Sequence, residues 1–373
     1  MTPVGPRSVH VVVPADIDDA AAPSGGNVYD RRICDSLSAT GWSVREIAVA
    51  GTWPRPGPAA RAVLARALHA VPDGAIVLLD GLVACGVPDV LVPRAGRLRL
   101  VVLVHLPLGD EAGLGPGPAA ELTALERETL HAARAVVATS PWVARRIVTR
   151  HGLARVHVAT PGTDPAPLAP GTDGASRLLC VGSVTRTKGQ DLLVEALAAL
   201  TGEPEVSFSC DLVGPMHRDP AHADAVRSAI ERHRLGGRIR LTGPRTGARL
   251  DALYAAADLL VLPSRVEAYG MVVTEALARG IPVLAAEVGG VPETLGRDPA
   301  GRVPGILVPP DDAAALAAAL RRWSGDAALR EGLRRAARKR GGTLDAWETT
   351  SRRLACVLER LHDAAARRRG TPG

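Results

Sequence analysis

Short apolar runs alternate with segments of helical spacing along this chain. SVHVVVP (8–14) and RLVVLVHLP (99–107) have strand character, and NVYDRRICDSLSATG (27–41) has helical spacing and ends at a glycine. A second alternating set begins at Arg177, after PGTDPAPLAPGTDGAS (161–176), whose Pro, Gly, Asp and Ala content is typical of a linker. This alternation predicts the α/β class, with parallel, doubly wound sheets.

Length and composition fit two domains with separate cores. The chain has 373 residues, of which 46% are hydrophobic, and that length exceeds what a single core usually takes. We place the domain boundaries at 1–165, 166–345 and 346–373, the last range being a helix followed by a basic tail. The sequence leaves the oligomeric state open.

Charge and cysteine content argue against several classes of protein. The net charge of +6 would suit nucleic acid, but arginines are scattered and only 2% of residues are aromatic, so no stacking platform for bases is present. Five cysteines without paired spacing indicate a reducing cytoplasm. We expect no signal peptide and no spanning helix. The basic amphipathic segment 60–70 still allows weak peripheral contact with a membrane.

The segment 264–290 carries the most specific pattern. It places Glu267 and Glu275 on either side of a loop-to-helix junction, with seven residues between them. Gly270 lies where the helix begins, and we expect free N–H groups at Met271, Val272 and Val273. Such amides, at the positive end of a helix dipole, bind phosphate oxygens. Acids at a helix start are also common for capping alone.

The segment 178–200 predicts a buried strand, a glycine turn and a helix. Lys188 and Gly189 lie in that turn, and the chain's one other lysine is Lys339. A compact ammonium in a glycine turn is a suitable partner for phosphate. The alternative is a solvated charge at a helix start.

Both segments resemble the retaining glycosyltransferases of family 4. In that family two glutamates flank an aromatic-Gly-aliphatic turn, which is Tyr269, Gly270 and Met271 here. The resemblance implies the GT-B fold, in which two Rossmann-like doubly wound domains face a central cleft. It assigns acceptor binding to 1–165 and nucleotide-sugar binding to 166–345, and it implies that the last helix crosses back onto the first domain.

The resemblance also implies roles for single residues. Catalysis would involve His105, Lys188 and Glu267, with His105 touching the transferred sugar and Glu275 holding the ribose. The donor would also contact a larger set of positions, which comprises the two motifs, a glycine pair and a strand-end turn: Gly25, Gly26, Ser183, Arg186, Pro244, Arg245, Tyr269, Gly270, Met271 and Val272.

One position departs from the family pattern. Family 4 has an arginine where this chain has Ser183, and loss of that cation should weaken diphosphate binding unless Arg186 compensates. Asp16 and Asp18 imitate the metal-binding Asp-x-Asp of another glycosyltransferase fold, but that fold has one domain. We therefore expect no metal and no other cofactor, since Lys188 and helix dipoles would neutralise the diphosphate.

The predicted activity is transfer of a sugar from a nucleoside diphosphate donor, in particular a UDP-sugar, with retention of the anomeric configuration. The acceptor is a small molecule, glycan or lipid that the sequence does not identify. A phosphorylase of the same family, a nucleotide-sugar epimerase and a non-catalytic sugar-nucleotide-binding protein are the alternatives. The absence of a GxGxxG motif argues against a dehydrogenase.

Overall fold

The structure, a computed structural model, describes residues 7–203 and 206–369. These form two compact units, of which the first comprises 7–18, 26–162 and 347–369 and the second comprises 19–25 and 163–346. Residues 1–6 and the end of the predicted basic tail, 370–373, lie outside the described residues.

The first unit contains a six-stranded sheet of order β2-β1-β3-β4-β5-β6, with parallel pairing throughout. Its strands are short, apolar and mostly buried, as alternation with helices requires. They are β1 (Ser8–Pro14), β2 (Ser43–Val49), β3 (Ile76–Asp80), β4 (Arg99–Val104), β5 (Ala135–Ala138) and β6 (His157–Val158).

The helices of the first unit follow these strands. α1 ends in a 3-10 turn, Leu37–Thr40, which stops at Gly41 in the left-handed conformation. The first-unit helices are α1 (Gly25–Ser36, whose first residue groups with the second unit), α2 (Pro58–His69), α3 (Gly81–Ala84), α4 (Pro88–Leu91), α5 (Pro116–Ala132) and α6 (Pro141–His151), and the helix at the end of the chain, Trp347–Arg369, also belongs to this unit.

The second unit repeats the plan with a sheet of order β12-β11-β10-β7-β8-β9, again parallel. Apolar residues cover both faces of this sheet, which gives the unit two buried clusters. Its strands are β7 (Arg177–Val181), β8 (Ser209–Val213), β9 (Ile239–Gly243), β10 (Leu259–Leu262), β11 (Val283–Ala286) and β12 (Gly305–Val308).

Seven helices of the described chain pack on this second sheet or connect its strands. They are α7 (Gln190–Ala198), α8 (Pro220–Arg232), α9 (Gly247–Ala256), α10 (Met271–Ala278), α11 (Val291–Leu295), α12 (Ala313–Gly325) and α13 (Ala327–Gly341), and the Trp347–Arg369 helix of the first unit is then α14. Among the described residues, no helix is both long enough and apolar enough to cross a membrane.

The predicted α/β class with two parallel sheets is confirmed. Three details differ from the sequence interpretation. The units divide after residue 162, and the short segment 19–25 groups with the second unit. The predicted basic tail begins within α14, because the described helix continues to Arg369.

Candidate functional site

The two signature segments of the second unit follow neighbouring strands. β7 and β10 pair directly, with Leu178 opposite Leu259, although β8 and β9 lie between them in the sequence. The chain therefore leaves β7 towards one side of the sheet and β10 towards the other. In parallel sheets, ligands bind at the carboxyl ends of such a pair of strands.

A close backbone contact joins the two loops at this edge. Gly189 has φ +68°, and a Cβ atom on it would lie 2.2 Å from the carbonyl oxygen of Pro263. Only glycine fits such a position. In addition, the amide of Arg265 donates to the carbonyl of Thr187 at 2.8 Å. The glycine of the Lys-Gly motif is therefore required to bring the first loop against the second.

Arg265 strengthens the same junction, and sequence reasoning missed it. Its guanidinium donates to both carboxylate oxygens of Asp191, at 2.9 and 2.8 Å, and to the carbonyl of Arg186 at 2.9 Å. It also pairs with Asp311. Paired arginine–carboxylate bonds have fixed geometry, so Arg265 holds the start of α7 and the loop after β10 together.

Lys188 and Glu267 meet at this junction. Nζ of Lys188 lies 2.5 Å from Oε2 of Glu267, and their side chains are 28% and 10% exposed. The hydroxyl of Ser264 donates to the same carboxylate oxygen at 3.3 Å. An ammonium has three N–H donors, so Lys188 can hold Glu267 and still donate to another anion.

The N-terminus of α10 lies directly after Glu267. Gly270 precedes this helix with φ +86°, a conformation that favours glycine, and no side chain caps the helix. The prediction for Val273 is wrong, because its amide donates to the carbonyl of Gly270 at 2.9 Å. The amides of Met271 and Val272 remain the candidates for a ligand.

Gly289 and Gly290 pack against the backbone of the loop that contains Glu267. Sequence reasoning also missed this pair. Cβ atoms on Gly289 and Gly290 would lie 1.9 Å from the carbonyl oxygen of Glu267 and 2.2 Å from that of Ala268. The amide of Gly290 donates to the Glu267 carbonyl at 2.9 Å. The signal was present in the sequence as Gly-Gly ahead of α11, but the partner of this turn depends on the fold.

Glu275 lies one turn into α10. Its Oε2 accepts a hydrogen bond from the hydroxyl of Tyr254 at 2.7 Å. Burial raises the pKa of Glu275, against the opposing effects of the Tyr254 hydrogen bond and the Arg279 charge. The carboxylate keeps acceptor capacity for a diol, because an ionised carboxylate accepts about four hydrogen bonds.

Ser183 and Arg186 occupy the loop after β7. Ser183 is half-buried, and its carbonyl accepts from the side chain of Gln190 at 3.0 Å. Arg186 has an exposed side chain, and its carbonyl is bound by Arg265. The role of Arg186 as the replacement for the missing arginine stays a prediction.

The remaining predicted donor contacts lie at two places. Pro244 and Arg245 follow β9, the edge strand of the sheet, and the Arg245 guanidinium donates to the carbonyl of Pro244 at 3.0 Å. Gly25 belongs to the second unit, where a Cβ on it would lie 3.6 Å from Sδ of Met271. Gly25 therefore lies beside the start of α10, whereas Tyr269 is half-buried in the loop that leads to it.

His105 follows β4 in the first unit and belongs to a polar cluster. Its Nε2 lies 2.8 Å from Oδ1 of Asp30 on α1, and its ring forms an edge contact with Tyr29 at 5.2 Å. A Cβ on Gly26, one turn before Asp30, would lie 3.5 Å from the imidazole. Asp80, at the end of β3, completes the cluster.

Asp30 and Asp80 were missed, since neither belongs to a motif. Burial alone lowers the pKa of His105, but the charge of Asp30, the hydrogen bond to it and the charge of Asp80 raise it to about 9. Because a proton occupies Nε2 in the bond to Asp30, we interpret the cluster as an ion pair and not as a metal centre. Asp18 is paired with Arg31.

Comparison with known proteins places these motifs in a family. The model of the glycosyl transferases group 1 family matches residues 171–340. The curated D-inositol 3-phosphate glycosyltransferase of Jonesia denitrificans is 31% identical over 68% of this chain and 64% of its own length. The D-inositol 3-phosphate glycosyltransferase 1 of Catenulispora acidiphila is 33% identical over 76% of this chain and 69% of its own length. Matches to the first curated relatives thus span about two thirds of those proteins.

Solved structures show the same fold. Sucrose-phosphate synthase from Thermosynechococcus elongatus superposes with a TM-score of 0.78 at 22% identity, covering 96% of this chain and 100% of that one. Anabaena HepE in complex with UDP and glucose superposes with a TM-score of 0.72 at 18% identity, covering 95% and 99%. The architecture is the GT-B fold, as predicted.

Proposed function

This chain belongs to the group 1 glycosyltransferases, and on that basis we propose that it transfers a sugar from a nucleoside diphosphate donor to an acceptor hydroxyl with retention of configuration. The observation that carries the proposal is the Lys188–Glu267 pair at 2.5 Å, directly ahead of the uncapped N-terminus of α10. A cation and free helix amides together suit a departing diphosphate, and a carboxylate suits the hydroxyls of a sugar.

The second unit supplies the electrostatic part of this reaction. Lys188 donates to the diphosphate oxygens, and the amides of Met271 and Val272 add the positive end of the α10 dipole. Fixed donors of this kind stabilise charge as it develops on the leaving group. Glu267 orients the sugar, and its position is set by Lys188, Ser264 and the Gly290 amide.

No metal and no further cofactor enter the proposed reaction. Lys188 and the α10 amides neutralise the negative charge of the diphosphate, which is the role that a bound cation has in other transferases. Four of the five cysteines are buried and all are free, which supports the proposal that the protein works in a reducing cytoplasm.

For the donor we propose a UDP-sugar. Support comes from the solved HepE complex, whose title names UDP and glucose. In this chain Glu275 would accept the two ribose hydroxyls, which UDP shares with other ribonucleotides. The base would contact Pro244 and Arg245 through backbone groups, and His105 would serve the transferred sugar.

The acceptor is a small molecule, a glycan or a lipid. The names of the curated relatives make D-inositol 3-phosphate the first compound to test. Purified protein is incubated with UDP-glucose, UDP-N-acetylglucosamine or GDP-mannose, each with inositol 3-phosphate, inositol or a panel of neutral glycosides. Mass spectrometry detects the product. We expect one donor to give an acceptor-dependent glycoside, and Lys188→Ala serves as the inactive control.

Other outcomes of this experiment contradict the proposal. Release of sugar phosphate that depends on inorganic phosphate would indicate a phosphorylase. Conversion of the donor sugar without any acceptor would indicate an epimerase. Tight binding of UDP-sugars with no turnover across the whole panel would indicate a binding protein.

A further inference from the structure

One carboxylate oxygen of the first unit lacks a hydrogen-bond partner among the described residues. Oδ2 of Asp30 is buried, and the residue as a whole is 3% exposed. Its other oxygen, Oδ1, lies 2.8 Å from Nε2 of His105. An unpaired buried carboxylate oxygen is unfavourable, and folded proteins usually supply a donor for it.

Asp80 is placed to be that donor. One side-chain atom from each of Asp30, Asp80 and His105 lies within 4.8 Å of the other two. Oδ1 of Asp80 already accepts from the amide of Leu82 at 2.8 Å, so its position is fixed. Burial and then the charge of Asp30 raise the pKa of Asp80 to about 7. A carboxyl group with a pKa of about 7 is mostly protonated below pH 7.

Two further titratable groups near this cluster, Tyr29 and Cys85, stay neutral, and the arginine whose charge acts on Tyr29 is Arg353. Burial raises the pKa of Tyr29, whose hydroxyl donates to the carbonyl of Ala159 at 2.9 Å. Burial likewise raises the pKa of Cys85. Among the described residues, the charges that act on His105 are those of Asp30 and Asp80.

We propose that Asp80, Asp30 and His105 form a hydrogen-bonded chain in which a protonated Asp80 donates to Oδ2 of Asp30, and Asp30 accepts from His105. The chain occupies Nε2 of His105 and directs its Nδ1–H to a substrate hydroxyl. The catalytic role of this hydrogen-bonded chain depends on the proposed transferase function. Asp30 and Asp80 are positioning residues, since they act through His105.

The first test measures the proton affinity of His105 by NMR of the ¹⁵N-histidine-labelled protein, with His105→Gln to assign its signal. Asp30→Asn keeps the shape of the side chain and removes its charge. We expect the pKa of His105 to fall by about one unit or more, a tenfold change in proton binding. Asp35→Asn, on the exposed face of the same helix, is the matched control and leaves the pKa unchanged. An unchanged pKa in Asp30→Asn overturns the proposal.

The second test uses two substitutions of Asp80. Asp80→Asn retains an N–H donor for Asp30, whereas Asp80→Ala has none. The wild-type transfer rate should fall as the pH rises through about 7, where Asp80 loses its proton. Asp80→Asn should keep its rate and show no such fall, and Asp80→Ala should lose about tenfold at all pH values. Equal rates and equal pH profiles in Asp80→Asn and Asp80→Ala contradict the chain.

A double substitution separates positioning from a purely structural effect. In a His105→Ala background, Asp30→Asn should cost no further activity, because its role passes through His105. A further loss of the same size as in the wild-type background would contradict the proposal. The NMR result does not depend on turnover, so failure of the transferase proposal would appear as an altered His105 pKa in a protein without transfer activity.

Discussion

The ammonium of Lys188 lies 2.5 Å from the carboxylate of Glu267, although the two residues are 79 positions apart in the chain. The pair forms because β7 and β10 are neighbours in the sheet and because Gly189 allows its loop to touch the carbonyl of Pro263. It joins the two signature motifs into one site.

Lys188→Ala should weaken UDP binding more than uridine binding, because the ammonium serves the phosphates. A charge-assisted hydrogen bond contributes about 1.5–3 kcal/mol, so we expect the UDP dissociation constant to rise roughly 10- to 150-fold. Isothermal calorimetry with both ligands measures the difference. Lys339→Ala removes the other lysine, which is exposed on α13, and should change neither. Equal losses for UDP and uridine would remove Lys188 from the phosphate site.

The two glutamates should give opposite phenotypes. Glu275→Gln should weaken UDP itself, because Glu275 holds the ribose. Glu267→Gln should leave UDP affinity near wild type and reduce kcat, since Glu267 acts on the sugar. Calorimetry and steady-state kinetics on the same preparations separate these effects. The reverse pattern would show that the roles are exchanged.

Glu275→Gln should also stabilise the protein at neutral pH. Burial raises the pKa of Glu275 in the folded state, so the folded protein binds this proton more tightly than the unfolded chain does. The free energy of unfolding therefore falls as the pH rises through the raised pKa of Glu275. Glutamine keeps an acceptor for Tyr254 without the charge. Thermal unfolding at pH 5 and pH 8 should show a gain that is larger at pH 8, with exposed Glu231→Gln as the unchanged control.

Ser183→Arg should restore the cation that the family pattern has at this position. We expect UDP affinity to rise by about tenfold, which corresponds to one added charge-assisted bond. Arg186→Ala, measured beside it, reports whether the exposed Arg186 contributes in the wild-type chain. If Ser183→Arg leaves UDP affinity unchanged while Arg186→Ala lowers it, Arg186 already fills the missing role.

Transfer should survive an excess of EDTA and should retain the anomeric configuration. Lys188 and the α10 amides neutralise the charge of the diphosphate, and no carboxylate-bound cation takes part in the proposed reaction. Proton NMR of the product formed from an α-linked donor with EDTA present reports both properties. Activity that vanishes with EDTA and returns with Mn²⁺ would bring back Asp16 and Asp18 as a metal site, and a β-linked product would contradict retention.

The local sequence determined the secondary structure and the two motifs. Apolar runs of strand length, glycine stops and helical spacing predicted α/β units, because these patterns reflect the chemistry of near neighbours. The positions of Lys188, Gly189, Glu267, Gly270 and Glu275 were readable for the same reason. Each motif spans one strand-loop-helix unit, and its helix start and glycine turn are local features.

The tertiary structure decided which residues support the site. Arg265, Tyr254 and the glycines behind Glu267 act through partners that are distant in sequence, so no local pattern marks them. The amide of Val273 is used by the turn of its own helix, which the sequence pattern did not predict. Asp80 acquires its raised pKa from burial and from the charge of Asp30, which lies far from it in sequence. Burial and the contacts between charges depend on the order of the strands in each sheet, and no single segment of the sequence determines that order.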